Sequence, residues 1–143
     1  MTDPLLTRID HVGLAVRDLD SAVAFYTATF GLRVAGRERN DAQGVEEAML
    51  TVSSPDLGAS YVQLLQPTGP DTPVGKFLEQ RGEGIHHVGY AVDDVVAALA
   101  ALRDKDIRLV DEQPRHGSLG ASIAFLHPKS VGGVLTELVQ SAR

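Results

Sequence analysis

Two histidines, a glutamine and a glutamate recur at nearly the same spacing along the chain. Gln63 follows His11 by 52 residues, and Glu137 follows His87 by 50 residues. Imidazole together with amide and carboxylate oxygen suits a divalent first-row metal ion such as cobalt, manganese, nickel, iron or zinc, and favours no single one of them. Calcium and magnesium fit less well because they take mostly oxygen ligands. The four side chains are therefore candidate metal ligands.

An internal repeat supports this pairing. Residues 9–26, IDHVGLAVRDLDSAVAFY, align without a gap to residues 85–102, IHHVGYAVDDVVAALAAL, and nine of the 18 positions are identical. His11 aligns with His87, and a match of this length predicts a duplicated module. His86 lies one position out of register, so on an alternating strand it points to the opposite face from His87.

The elements that must position these side chains also occur twice. In each half an apolar strand pattern precedes an Asp at a helix N-cap position and a helical pattern, and three further strand-length runs follow. The predicted strands are 8–16, 32–39, 44–52 and 60–66 around a helix at 21–29, and then 85–92, 107–111, 121–126 and 133–140 around a helix at 95–103. We therefore expect an α+β fold in which two tandem βαβββ modules form one curved eight-stranded mixed sheet around a metal site.

Length and composition fit a single domain. The chain has 143 residues, of which 43% are hydrophobic and 22% are charged, and these are ordinary values for a globular protein. We expect one domain over 1–143, with module 1 at about 8–66 and module 2 at about 85–140. The segment between them, about 67–84, is rich in Pro and Gly in its first part and predicts a short helix at 73–80.

Charge and cysteine content exclude several classes of function. The net charge is −6, which argues against nucleic acid and anionic membranes as partners. There is no cysteine, so disulfides, thiolate metal sites and cysteine nucleophiles are excluded. No apolar run approaches the length of a membrane span, and the N-terminus lacks the apolar segment of a signal peptide, so we expect a cytoplasmic protein.

Each candidate ligand also has an ordinary structural interpretation. A strand histidine is more often a core or turn residue than a ligand, and Gln63 alone would usually be a surface amide. Glu137 alternates with Leu135 and Val139 on one strand face, where a carboxylate is costly to bury without a partner. A metal ion would supply that partner, and so would an arginine.

Two acids lie inside the apolar run QGVEEAML. Glu46 and Glu47 take opposite faces of the predicted strand, so that one can face a cavity and the other solvent. The second half has no acid at the matching place, GASI at 120–123. An acid present in one half is not required by the shared scaffold, which makes it a candidate for chemistry, although an exposed strand acid is the commoner case.

Several motifs together are similar to those of a known family. They are IDHVGLAV (9–16), FYTATFGL (25–32), QGVEEAML (43–50), YVQLLQP (61–67), PVGKFLEQRGEGIHHVGYAVDDV (73–95) and AFLHPKSVGGVLTELVQ (124–140). The IDHVG opening is common and weakly specific, whereas GEGIHH followed by FLHPKS and GVLTEL is much more specific. The chain resembles the vicinal oxygen chelate superfamily and, within it, the methylmalonyl-CoA epimerase family.

The resemblance implies a metal-dependent epimerase that interconverts (2R)- and (2S)-methylmalonyl-CoA by removing and returning the α-proton through a metal-stabilised enolate. It places the metal ligands at His11, Gln63, His87 and Glu137, and the catalytic carboxylate at Glu47. Glu137 is the candidate for a second acid or base, although a carboxylate bound to a metal is less basic. A metal-bound water is the rival for that role.

The resemblance also implies an acyl-CoA substrate and a homodimer, and it does not choose between methylmalonyl-CoA and ethylmalonyl-CoA. Candidate contacts for the anionic CoA tail are the basic residues Arg37, Arg39, Lys76, Arg81, Arg115 and Lys129, and none of them is favoured over the others. The chain departs from the family pattern at Gln66, where a glutamate is expected. That position is not a ligand, so the departure puts little in doubt.

Two other functions stay open at this point. A glyoxalase-like or dioxygenase-like metalloenzyme would share the fold, and dioxygenases typically use two histidines and one glutamate, which would leave Gln63 without a role. A drug-binding protein of the bleomycin-resistance kind would also share the fold but would need no set of four ligands. Metal analysis separates that binding protein from the enzymes.

Overall fold

The computed structural model describes residues 4–52 and 60–142. Its helices and strands are, in chain order, β1 (Arg8–Ala15), α1 (Leu19–Phe30), β2 (Arg33–Asn40), β3 (Val45–Thr51), β4 (Tyr61–Pro67), α2 (Pro73–Arg81), β5 (Gly84–Ala91), α3 (Val95–Asp104), β6 (Arg115–His116), β7 (Ser122–Leu126) and β8 (Thr136–Gln140). Within these described residues, no helix combines the length and the apolar content needed to span a membrane.

The strands form a mixed sheet in the order β2-β3-β4-β1-β5-β8-β7-β6. The pairs β1–β4 and β5–β8 are parallel, whereas β2–β3, β3–β4, β6–β7 and β7–β8 are antiparallel. This arrangement confirms the predicted pair of βαβββ modules and the eight-stranded mixed sheet.

The chain divides into two compact units, and the division falls inside β1 and inside β5. One unit is His11–His86, and the other is Met1–Asp10 with His87–Arg143. We call them the first and the second unit. The single domain predicted over 1–143 stays a prediction.

In the first unit, α1 is fixed at both ends by its sequence. Asp18 Oδ1 accepts a hydrogen bond from the Ser21 amide at 3.0 Å, which satisfies a donor at the helix start. Gly31 follows the helix with a φ of 72°, a left-handed conformation that glycine adopts without a Cβ clash. The helix packs against a cluster on one face of the sheet, whose buried members are Val16, Leu19, Ala48, Leu50 and Leu64.

The opposite face of the same strands carries α2 at one end. Thr72 caps this helix by accepting a hydrogen bond from the Gly75 amide at 3.0 Å, and Pro73 occupies its first turn as predicted. The helix contributes to a second buried cluster formed by Ala15, Val45, Leu65, Val74 and Leu78. Because strand side chains alternate, Glu47 and Gln63 lie on this face of β3 and β4, next to Val45 and Leu65.

In the second unit, β7 and β8 bury both faces. Asp94 caps α3 by accepting a hydrogen bond from the Ala97 amide at 3.0 Å, and the helix packs on the face of the sheet that carries Ala124, Leu126 and Leu138. The other face carries the cluster Ala121, Ile123, Phe125 and Val139, with Leu135 packed against it. Glu137 alternates with Leu135 and Val139, so the carboxylate lies on this second apolar face.

The strand predicted at 107–111 is wrong. This segment forms an isolated bridge between Leu109 and Leu126 and a few backbone hydrogen bonds to Phe125 and His127, but no regular strand. The strand that pairs with β7 on the side away from β8 is the two-residue β6. The Asp111 side chain explains the difference, because its Oδ2 accepts the hydrogen bond of the Phe125 amide at 2.9 Å. A side chain that takes a strand amide in this way competes with a regular backbone ladder.

Candidate active site

His87 and Glu137 meet in the second unit. β5 and β8 are parallel neighbours with Gly89 opposite Glu137, and His87 Nε2 lies 3.8 Å from Glu137 Oε1. Both side chains are buried. The His87 ring also packs edge-to-face against Phe125, with 5.5 Å between the ring centroids, and this contact restricts how the imidazole can turn.

His11 completes a group of three potential ligands. It lies on β1 and is 3% exposed. One ring nitrogen each of His11 and His87 and one carboxylate oxygen of Glu137 all lie within 4.8 Å of one another. Two imidazoles and a carboxylate at this spacing could hold a metal ion, and all three are buried.

Gln63 and Glu47 meet in the first unit. β3 and β4 are antiparallel, with Met49 opposite Gln63 and Glu47 opposite Leu65. This register allows Gln63 Nε2 to donate a hydrogen bond to Glu47 Oε2 at 2.9 Å, and both residues are buried. Because only the amide nitrogen can donate, the bond fixes the orientation of the amide and makes Oε1 the atom that could bind a metal.

The first unit also relates Gln63 to His11. β1 and β4 are parallel neighbours in which His11 pairs with Tyr61 and Gly13 pairs with Gln63. Paired residues of neighbouring strands share a face, and so do alternate residues of one strand. His11 and Gln63 therefore lie on the same face of adjacent strands, one alternation apart, and Glu47 lies on that face of the next strand.

The structure distinguishes the two adjacent glutamates. Glu46 points to the other face of β3, where its side chain is 45% exposed and lies 3.5 Å from Arg39. Glu47 is 2% exposed and contacts Gln63. Glu47 is thus a buried carboxylate held by a hydrogen bond, which suits a catalytic group, whereas Glu46 is a partly exposed surface acid.

Comparison with known proteins decides the family. The sequence profile of the Glyoxalase/Bleomycin resistance protein/Dioxygenase superfamily matches residues 10–125. The chain belongs to this superfamily. The resemblance inferred from the sequence motifs is thereby confirmed.

Within the superfamily, the chain is similar to epimerases of acyl-CoA thioesters. Human mitochondrial methylmalonyl-CoA epimerase is 39% identical over 137 residues, which cover 95% of this chain and 75% of the human one. Ethylmalonyl-CoA/methylmalonyl-CoA epimerase of Cereibacter sphaeroides is 35% identical over 95% of this chain and 99% of its own. A solved variant of Streptomyces coelicolor methylmalonyl-CoA epimerase with 2-nitronate-propionyl-CoA is 53% identical, covers 96% and 99% of the two chains, and superposes with a TM-score of 0.92.

The donor set fits the metal dependence of the superfamily. Two imidazoles and a carboxylate are ligands that first-row divalent ions accept, and none of them is a soft thiolate or thioether. All three are buried, and a buried carboxylate gains from a cation beside it. The donors do not single out one of cobalt, manganese, nickel, iron and zinc.

The remaining histidines lie elsewhere. His86 points to the face opposite His87 and contacts the Phe77 ring at a centroid distance of 5.2 Å. Burial lowers the pKa of His86 from 6.5 to about 4, because desolvation disfavours the charged imidazolium. His127 accepts a hydrogen bond from the Lys129 amide at 3.1 Å, which gives it a local role in a turn.

Sequence reasoning did not find the role of two glutamines that hold the helices. Gln66 Oε1 accepts a hydrogen bond from the Leu19 amide at 2.7 Å, and Gln140 Oε1 accepts one from the Val95 amide at 2.9 Å. Gln66 follows Gln63 by three residues, and Gln140 follows Glu137 by three residues. The internal repeat therefore contained the information that these two glutamines are equivalent. An oxygen acceptor is what this role requires, and glutamine supplies one as well as the glutamate expected at position 66 would.

Proposed function

We propose that this chain is a metal-dependent epimerase that interconverts (2R)- and (2S)-methylmalonyl-CoA. The carbon between a thioester and a carboxylate inverts when its proton is removed from one face and returned to the other. The observation that carries the proposal is the buried hydrogen bond between Gln63 Nε2 and Glu47 Oε2, which joins a carboxylate base to a candidate metal ligand. The related epimerases support the same reaction and an acyl-CoA substrate.

The metal in this proposal is held by His11, Gln63, His87 and Glu137. Gln63 would bind through Oε1, because its nitrogen is engaged by Glu47. A bound divalent ion supplies Lewis-acid stabilisation of the negative charge that develops when the α-proton leaves. Its identity among cobalt, manganese, nickel, iron and zinc stays open.

Glu47 is the proposed base. Its carboxylate is buried, so few water molecules compete for the proton that it takes. The Gln63 amide fixes one of its two oxygens, which positions the carboxylate before substrate binds. A base held in this way can act only on a proton that the substrate presents to it, and this restricts the reaction to one carbon.

Glu137 is the proposed group for proton transfer at the opposite face. It lies within 3.8 Å of His87, in the unit that does not contain Glu47. A carboxylate that also serves as a ligand is a weaker base than Glu47, so the two acids are not equivalent.

Ethylmalonyl-CoA differs from methylmalonyl-CoA by one methylene group and is a second substrate to test. The homodimer stays a prediction.

Glu47 also separates this proposal from a non-catalytic drug-binding protein, which needs no buried base. The test is the exchange of the α-proton of methylmalonyl-CoA in deuterated water with the metal-loaded protein. We expect Glu47→Gln to lose activity by about 10²-fold or more, the usual contribution of a general base, while the bound metal is retained. The matched control is Glu46→Gln, which changes the neighbouring acid and should exchange like the unmodified protein. Full exchange by Glu47→Gln would mean that the base is another residue.

A further inference from the structure

Arg115 shares a face of the second unit with Glu137. β6 pairs with β7 so that Arg115 lies opposite Ile123, and β7 pairs with β8 so that Phe125 lies opposite Glu137. Opposite residues of antiparallel strands point to the same side, and so do alternate residues along one strand. Arg115, Ile123, Phe125 and Glu137 therefore face the same way, with the arginine on the edge strand.

One aromatic ring separates the Arg115 guanidinium from a proposed metal ligand. The guanidinium carbon lies 5.8 Å from the centroid of the Phe125 ring, a distance at which a cation is attracted to an aromatic face. The same ring makes the edge-to-face contact with His87 at 5.5 Å. The positive charge therefore stands beside the site described above, on a face whose other buried members, apart from His87 and Glu137, are apolar.

Asp111 holds this arrangement in place. Its Oδ1 lies 3.5 Å from Arg115 Nε, and its Oδ2 accepts the hydrogen bond from the Phe125 amide. The Asp111 side chain is 13% exposed, whereas the Arg115 side chain is 39% exposed. The Asp111 carboxylate thus holds both Arg115 Nε and the Phe125 amide of β7. The rest of the Arg115 side chain stays partly exposed, so a ligand can reach it.

The turn after β6 adds a second constraint. The Gly117 amide donates a hydrogen bond to the Ala121 carbonyl at 2.9 Å. A Cβ at Gly117 would come within 2.5 Å of Ile123 Cγ2, so only glycine lets the chain turn this closely against β7. The short strand that carries Arg115 is therefore anchored on the sheet.

The geometry leaves the arginine able to bind an oxyanion. Within residues 4–52 and 60–142, the ion pair of Arg115 is made through Nε. Its terminal nitrogens can form the two-pronged hydrogen bonds that a carboxylate accepts, which lysine cannot reproduce. Because the chain as a whole carries a net charge of −6, a local cation in addition to the proposed metal ion favours an anionic substrate.

We infer that Arg115 binds the carboxylate of the acyl group and so makes the site specific for carboxylated acyl-CoA thioesters. This inference rests on the proposed epimerase function. The acyl carboxylate is favoured over the phosphates of CoA because Arg115 stands one ring away from His87, whereas the phosphates lie beyond the long pantetheine arm. Arg115 is thus a specificity-determining residue rather than the proton-transfer group.

The test measures binding to the metal-loaded protein by calorimetry. Methylmalonyl-CoA and propionyl-CoA share the whole CoA portion and differ in the acyl carboxylate. We expect Arg115→Gln to weaken binding of methylmalonyl-CoA by about tenfold or more, the usual scale for losing a charged hydrogen bond, and to leave propionyl-CoA binding unchanged. Arg115→Lys should retain part of the preference. The control is Arg103→Gln. This variant removes an exposed arginine of α3 that pairs with Glu112, and it should bind both thioesters normally.

Each result has a distinct meaning. Equal weakening of both thioesters would show that Arg115 contacts a CoA phosphate, and unchanged binding of both would show that it contacts neither, so either result overturns the inference. A purely structural role would not change the preference between two ligands with a common CoA portion. If the unmodified protein binds methylmalonyl-CoA through Arg115 but does not exchange its α-proton, the proposed epimerase function is wrong, whereas this inference still holds.

Discussion

Gln63 has two different amide atoms, and the proposed chemistry uses both. Nε2 donates to Glu47, and Oε1 is the atom available to a metal. A glutamate at this position would offer oxygen alone, and a leucine would offer neither. The repeat indicated Gln63 as a ligand because it aligns with Glu137. The contact with Glu47 could not be predicted in the same way, because it depends on the register of β3 against β4.

The two adjacent histidines should differ in metal binding. We expect His87→Ala to lose the bound divalent ion and His86→Ala largely to keep it, because His87 lies beside Glu137 whereas His86 contacts Phe77 on the other face. The measurement is the metal content of each purified variant after dialysis, with circular dichroism as a check on folding. Retention of metal by His87→Ala together with its loss from His86→Ala would refute the register inferred from the repeat.

At the scale of elements, each half of the chain ties the start of its helix to its last strand. Gln66 holds the first turn of α1, and Gln140 holds the first turn of α3. The Val16 and Val92 amides donate to the carbonyls of those same strands at 2.9 Å in both halves. The helices are thereby fixed relative to the strands that carry Gln63 and Glu137.

Removing one of these ties should destabilise the fold. We expect Gln66→Ala to lower the free energy of unfolding by about 1–3 kcal/mol. The reason is that the amide of Leu19, a buried residue, loses its hydrogen-bond acceptor. Gln66→Glu should cost much less, since a carboxylate also accepts that hydrogen bond. Urea denaturation measures both, with the exposed Gln113→Ala as the control. If Gln66→Ala and Gln113→Ala are equally stable, the hydrogen bond to α1 contributes nothing.

The sequence predicted the elements well where capping and alternation coincide. The sequence predicts helix ends at Asp18 and Gly31, which the structure confirms, and it leaves Asp93 and Asp94 both open as the cap of the second helix, where the structure has Asp94. The prediction was wrong at 107–111, where the Asp111 side chain takes a strand amide. β8 begins only at Thr136, after a turn in which Gly132 and Gly133 adopt left-handed φ values of 82° and 90°. These misses depend on tertiary hydrogen bonds and on backbone conformations that residue patterns do not specify.

At the scale of the whole molecule, the duplication explains how a chain without cysteine could supply the ligands of the proposed metal site. The first module contains His11 and Gln63, and the second contains His87 and Glu137, so a scaffold used twice would supply two similar pairs of proposed ligands. Glu47 has no counterpart in the second module. The proposed base is therefore an addition to the duplicated scaffold, and this asymmetry was visible in the sequence. Arg115 was not distinguishable there from the other basic residues, because its environment is created by β6, β7 and Asp111.

Proton NMR of a single stereoisomer of methylmalonyl-CoA in deuterated water tests the central claim most directly. With the metal-loaded protein we predict that the α-proton signal disappears, that the methyl doublet collapses as deuterium replaces that proton, and that the other epimer accumulates to equilibrium. Removal of the metal by a chelator should stop all three changes, and added cobalt or manganese should restore them. An unchanged α-proton signal with the metal-loaded protein would contradict the assignment of this chain as an epimerase.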